Sequence, residues 1–303
     1  MSHRLPRFKR APAVAPLRLT ARDRAIIRLV HRHRFLRSWH IIALMGDSPQ
    51  PILRRLQLLY HHGFLARPRL QIEYYHQGGS HPIVYGLGKK GASLLQHEPG
   101  ADVPVLHSEG NSNSPHRLFF EHALLVSDVM VALELACRRA AGVRLLSGEE
   151  LPLPGGVRRK LKWKVKVNNR VLLGIIPDRM FALESQEESP DRLPCLYFLE
   201  ADRGTMPIIR KDLTQSSFYR KLLAYETIWT QGLHRSQFGF HRFRVLTVTT
   251  SAARVESLVA ACSKLKRGRG LFLFCDQTTI QKHGDMLTVP WKTGRGETAR
   301  LLP

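Results

Sequence analysis

The sequence predicts an α/β protein of the α+β kind, organised in two domains. Three observations predict it. Helical apolar periodicity over residues 20–62 gives way to two β-like runs, a Pro/Gly/Ser/Asn-rich break covers 97–114, and apolar strands and helices then succeed one another to residue 276. The chain has 303 residues, 43% of them apolar, which supplies a core and excludes a wholly disordered chain. Its four cysteines are scattered without a Cys-x-x-Cys pair, so they read as buried thiols rather than a disulfide scaffold. No apolar run approaches the roughly 18–20 residues of a membrane span. The basic N-terminus leads into Ala and Pro rather than a long apolar stretch, so no membrane association and a cytoplasmic location are expected.

The charge is uneven. Against a net +23 for the whole chain, residues 1–96 hold 17 Lys+Arg and 3 Asp+Glu, a net +14, while the remaining residues hold 30 and 21, a net +9. A basic N-terminal third is the electrostatic footprint of a polyanion binder, and nucleic acid is the commonest such partner in the cytosol. Double-stranded DNA is the expected partner, which implies nucleoid association.

Residues 1–17 read as a flexible basic arm and 18–96 as the first domain. Thr20 caps a helix with Ile26, Ile27 and Val30 on its buried face. Ser38 caps a second helix closed by Gly46. Ser48 caps a third, with Pro49 at its first position and Leu53, Leu56, Leu59 and Tyr60 inside, and Gly63 stops it. Two β-like runs around Gln77–Gly78–Gly79–Ser80 predict a hairpin, and 89–95 a closing helix. This is the order of a winged helix-turn-helix, whose third helix enters the major groove while the wing touches the backbone. The outward positions of that helix are Gln50, Arg54, Gln57 and His61, with Arg55 flanking, and no acid follows Asp47. Arg and Gln match guanine and adenine edges, and Lys89 and Lys90 suit phosphates. The competing reading is a solvated face, or a module that docks proteins.

Residues 97–114 read as a linker and 115–303 as the second domain. A helix is expected at 116–140. Strict alternation over 159–167 puts Leu161, Trp163, Val165 and Val167 on one face and Lys160, Lys162, Lys164 and Lys166 on the other. Those lysines suit either a second DNA surface or an edge strand guarded against aggregation. Asn168–Asn169 turns into a strand ending at Pro177–Asp178, continued by RMFALE. Residues 194–202 form a strand buried on both faces. A helix over 213–229, a strand over 243–250, a helix over 253–266 and a last strand over 270–276 complete the order.

Asp178, Glu200 and Asp202 end apolar runs. Glu200 and Asp202 are two apart and so share a face. Three converging carboxylates would need a counter-charge, and oxygen-only ligands favour Mg²⁺ or Mn²⁺, the ions of metal-assisted phosphodiester hydrolysis. Equally open is a structural role, with the acids paired to the adjacent Arg179 and Arg203.

The segments LTARDRAIIRLVHRHRFL, VYGLGKKGASLL, HRLFFEHALLVSDVMVALELA, IPDRMFAL and YFLEADRGT resemble the replication-relaxation family of plasmid and mobile-element proteins, over about residues 18–230. The resemblance implies a winged helix joined to a nuclease-like domain. The second half is also similar in order to the PD-(D/E)XK nucleases, which implies a mixed-sheet, restriction-endonuclease-like fold. By that similarity Asp178 and Glu200 would hold the metal, with Glu121 or Glu134 as an added ligand. Those nucleases carry a Lys two residues after the acid, where this chain has Asp202. Lys221, on one helix face with Tyr225, is the candidate substitute, with Lys211 and Arg203 as other sources of charge.

The expectation is a DNA-binding protein in replication or mobilisation control whose nuclease-like domain cleaves weakly or not at all. The alternatives are an active metal-dependent endonuclease and a transcriptional or protein-interaction module. Candidate partners besides DNA are other replication or mobilisation proteins and a second copy of the chain.

Overall fold

The structure is a computed structural model that describes residues 6–12, 16–72, 81–96, 114–151, 153, 163–167, 171–185, 194–239 and 241–302. The expected linker up to residue 113, the hairpin tip 77–80, the Asn168–Asn169 turn and Lys160 and Lys162 lie outside them. The architecture is mixed α/β, as the sequence predicts. Contacts divide the chain into two compact units, Met1–Val131 and Ala132–Pro303, with the boundary inside one long helix.

In the first unit α1 (Ala21–His33) begins at a capping box. The Thr20 hydroxyl accepts from the Asp23 N–H, and Asp23 accepts from the Thr20 N–H at 2.8 Å. A short strand that the periodicity did not reveal, β1 (Phe35–Arg37), comes next, so Arg37 rather than Ser38 precedes α2 (Ser38–Met45). α3 (Pro49–His61) follows Ser48. Leu56, Leu59 and Tyr60 face inward as expected, whereas Leu53 is 37% exposed and Ile52 takes the fourth inward place. β2 (Leu65–Ala66) and β3 (Val84–Leu87) pair antiparallel, and β1 joins the other edge of β3, giving the order β1-β3-β2. The expected long hairpin arm is interrupted by a 3-10 turn at Arg69–Gln71, where the Gln71 side chain bonds both the N–H and the C=O of Val84.

The Gly-Lys-Lys-Gly run at 88–91 has a steric reason. A Cβ on Gly88 would meet the Gly63 carbonyl at 2.3 Å, and one on Gly91 the Phe64 carbonyl at 2.3 Å. Only glycine lets α4 (Lys89–Gln96) start this close to the chain after α3, leaving Lys89 and Lys90 exposed.

The long helix α5 (Ser114–Arg139) adds Phe120, Ala123 and Leu124 to the core around Phe35 and Val84 of the first unit. The second unit is built on a seven-stranded mixed sheet. In chain order its strands are β4 (Val143–Ser147), β7 (Arg179–Ser185), β8 (Cys195–Ala201), β9 (Phe243–Thr249), β10 (Phe272–Asp276), β11 (Trp291–Thr293) and β12 (Thr298–Ala299), and β5 (Trp163–Val167) and β6 (Val171–Ile175) form a separate hairpin. Spatial order is β12-β11-β10-β9-β8-β7-β4, with β8, β9 and β10 parallel to one another. Parallel neighbours need crossovers, supplied here by α6 (Phe218–Thr230) with the short α7 (Leu233–Phe238), and by α8 (Ala252–Cys262); α6 and α8 share one core with the β5–β6 hairpin. Trp163 meets Phe198 edge-on at 4.9 Å.

Three expectations are corrected here. β4 precedes the lysine strand, α6 starts at Phe218, and 272–276 is not the last strand, because α9 (Gln277–His283), β11 and β12 follow it. The late strands are short and polar, so their apolar pattern is weak.

Candidate functional site

The carboxylates gather where β8 ends. Asp178 stands just before β7, its N–H bonded to the Leu199 carbonyl and its Oδ2 accepting from the Ala201 N–H at 2.7 Å. Glu200 is 1% exposed, held by a strand buried on both faces as the sequence predicts. From α6, the Lys221 ammonium donates to Glu200 Oε2 and the Tyr225 hydroxyl to Oε1 at 2.6 Å. The i,i+4 spacing expected to put Lys221 and Tyr225 on one face thus delivers both to one carboxylate.

Asp202 is engaged differently. Arg254 of α8 forks onto it, Nε to Oδ2 at 2.7 Å and a terminal N–H to Oδ1 at 3.1 Å. Thr249 Oγ1 adds 2.7 Å, the Gly204 N–H 3.2 Å, and Arg254 also donates to the Met206 carbonyl at 2.6 Å. Its fork partner is therefore not its sequence neighbour Arg203 but a residue 52 positions on.

The electrostatics follow from burial. Burial pushes the Glu200 carboxyl above the usual carboxylate range, with Lys221 opposing and Asp178 adding to the rise. Burial pulls Lys221 down, but Glu200 and Asp178 outweigh it and hold the ammonium above the ordinary lysine range. Burial and Glu200 raise the Tyr225 hydroxyl well above its usual value. At neutral pH Glu200 therefore accepts from two firmly protonated donors.

A divalent cation does not fit this arrangement. Both oxygens of Glu200 and both of Asp202 are taken by donors, and Lys221 and Arg254 stand where a cation would. Among the described residues no group of three or more His, Cys, Asp or Glu side chains lies close enough to hold a metal ion. Glu121 and Glu134, expected as added ligands, pair instead with Arg117 and Arg138, the first four residues before and the second four residues after its acid on the same helix. Lys211 is exposed.

On α3, Gln50 and Arg54 are exposed and Gln57 is half-buried. His61 does not belong to that outer face. It is buried, and its Nδ1 accepts from the Ala11 N–H at 3.1 Å. Residues 7–11 of the arm lie along the end of α3, with Arg10 Nε on the Tyr60 carbonyl at 3.2 Å and Arg67 donating to the Arg7 carbonyl. A helical wheel cannot see a segment arriving from 50 residues away. Arg55 also turns inward. Its Nε donates to Asp23 Oδ1 at 2.8 Å and a terminal N–H reaches the Arg18 carbonyl, so it ties α3 to the start of α1.

A model of the replication-relaxation family matches residues 27–242, well over half the chain. The chain belongs to the replication-relaxation family. Membership points to a role in replication or mobilisation of a plasmid or mobile element. No curated protein and no solved structure matches the chain. The family match covers α3, Asp178, Glu200 and Lys221, while Thr249 and Arg254, which occupy Asp202, lie beyond it. Among the described residues no helix is long and apolar enough to cross a membrane.

Proposed function

We propose that this replication-relaxation protein binds double-stranded DNA through its first unit, and that its nuclease-like second unit is a closed, non-cleaving scaffold. The topology helix–strand–helix–helix–strand–strand, with sheet order β1-β3-β2, supports reading the first unit as a winged helix. The observation that carries the DNA reading is the disposition of charge. Asp23 is fully buried under Arg55 and Asp47 is paired with Arg22 at 3.0 Å, while Gln50, Arg54, Lys89 and Lys90 face outward. With these two acids paired, the unit turns cations and amides outward, which suits phosphates and base edges.

The closed reading rests on Lys221. A lysine that neutralises developing charge on a phosphate must have its ammonium available, and here Glu200 holds it. The test is duplex binding and cleavage by the full chain. Arg54→Ala and Gln57→Ala are each expected to cost about 1–3 kcal/mol on a cognate site. Loss of both Lys89 and Lys90 should weaken all sequences alike and flatten the salt dependence. Supercoiled DNA with Mg²⁺ or Mn²⁺ should stay intact. Robust nicking that Asp178→Ala and Glu200→Ala each abolish would overturn the closed reading, and duplex affinity indifferent to salt would favour a protein-docking module.

A further inference from the structure

The second unit contains a cavity of about 570 Å³ at the opposite end of the parallel strands from Glu200. Its floor is where those strands begin, at Cys195, Phe243 and Leu271, and the end of the chain from Ala299 to Leu302 closes one side. That volume lies in the range of small-molecule sites, roughly 300–1,000 Å³.

The lining chemistry is one-sided. His241, Arg242, Arg244 and Arg300 contribute four basic side chains, and among the described residues no acid lines the cavity. His241, Arg242 and Arg300 are exposed, and Arg244 donates to the Arg300 carbonyl at 3.3 Å, which fixes it beside the closing segment. None of the four has an acidic partner among the described residues. This contrasts with the site around β8, where Lys221 and Arg254 are each taken by a carboxylate. Concentrated, unpaired cations in a concave site cost repulsion that an anion relieves.

The second element is Trp229 at the end of α6. It is 39% exposed on the cavity wall, with its ring edge over Gly268, where an added Cβ would stand 3.4 Å from it. A partly exposed indole beside arginines is a side chain on which a nucleobase can stack while its phosphate takes the guanidinium forks. A bare phosphate would use the arginines alone and leave the Trp229 and Leu271 wall unfilled. We propose that this cavity binds a nucleoside phosphate, base on Trp229 and phosphate on Arg242 and Arg300. The moiety comes either from a free nucleotide or from a single strand entering the cleft. The site is independent of the duplex surface on α3.

Calorimetric titration of the full chain tests it, with thymidine 5′-monophosphate, an oligothymidylate of about eight nucleotides and inorganic phosphate as probes. Trp229→Ala should weaken nucleotide binding about tenfold while Trp229→Phe retains it. Arg242→Gln and Arg300→Gln should each weaken it about tenfold. Monophosphate and oligonucleotide binding with equal affinity would identify free nucleotide as the source. Much tighter oligonucleotide binding, still lost in Trp229→Ala, would identify a single strand. The proposal fails if neither nucleotide binds, or if binding ignores the Trp229 and Arg242 changes. It also fails if inorganic phosphate competes as well as the nucleotide does. Arg54→Ala, which tests the duplex surface, should leave monophosphate binding unchanged, so the two readings fail separately.

Discussion

The two compact units spend their acids in opposite ways. In the first, Asp23 draws in Arg55, Asp47 takes Arg22, and Asp128 accepts from Arg37 and contacts the buried His40 at 3.1 Å. Each pairing ties elements of the unit together and leaves other cations on the outer face of α3 and the start of α4. In the second unit Glu200 and Asp202, at the end of the central strand, hold Lys221 and Arg254. The same kind of contact, a carboxylate on a guanidinium or ammonium, ties elements together beside outward-facing cations in one unit and holds two cations at a strand end in the other.

The largest expected effect comes from breaking those pairs. Arg254→Ala leaves the Asp202 carboxylate buried among Thr249 and backbone groups, and Arg55→Ala does the same to Asp23. Stranding a buried charge costs about 3–5 kcal/mol, so both variants should show sharply lowered urea midpoints. Asp202→Asn placed on Arg254→Ala should recover much of the loss, because the stranded charge is gone. A cost below about 1 kcal/mol, the size of a surface pair, would show that these pairs are not what organises either unit.

Tyr225→Phe ranks next. It removes one donor from a buried carboxylate, an interaction of about 1.5–3 kcal/mol, and leaves Lys221 in place. A loss of that size in equilibrium unfolding, without any gain of nicking activity, fits a hydroxyl that holds Glu200 rather than one that works on a substrate.

pH separates the Asp23 and Lys221 pairs by direction. Burial would raise Asp23, but Arg55 and the Thr20 cap outweigh it and hold its folded value below the ordinary 3.8. A depressed carboxyl contributes stability that is fully present above 3.8 and lost as pH falls through the folded value. Lys221 is raised above 10.5, so its contribution is present below that value and lost as pH rises through the folded one. Glu200 is raised too, and falling pH through its window favours the folded state. The contribution of Asp23 should therefore be lost in acid and that of Lys221 in alkali. Unfolding curves from pH 3 to 11 check this, and the reverse order would refute the assignment of the pairs.

How much of this the sequence discloses depends on how far apart the partners lie. α1, α3 and β8 are legible because their apolar periods are long and unmixed, and Thr20, Pro49 and Gly63 mark their ends. Lys221 and Tyr225 are legible as a pair because four residues on a helix fix their common face. Arg254 on Asp202 and Ala11 on His61 are not, since nothing local announces a partner about 50 residues distant. β1, β11 and β12 are two or three residues long, too short for alternation to show.

The smallest expected effect concerns the lysines of β5, where the two units could have resembled one another. Trp163, Val165 and Val167 are buried, and Lys164 and Lys166 are exposed on the far face. β5 pairs only with β6, so its other edge is open among the described residues, and lysines there discourage a strand of another molecule from adding on. Exposed lysines without a buried partner change stability by no more than about 0.5 kcal/mol when replaced, so Lys164→Gln with Lys166→Gln should leave the urea midpoint where it is. DNA contact is the discriminating measurement. If both lysines met phosphates, the logarithmic salt slope of duplex binding would fall by about 0.9 for each. We expect an unchanged slope together with faster aggregation on heating. A slope reduced by nearly two would make this hairpin a second DNA surface, and the two units would then differ less than their buried acids suggest.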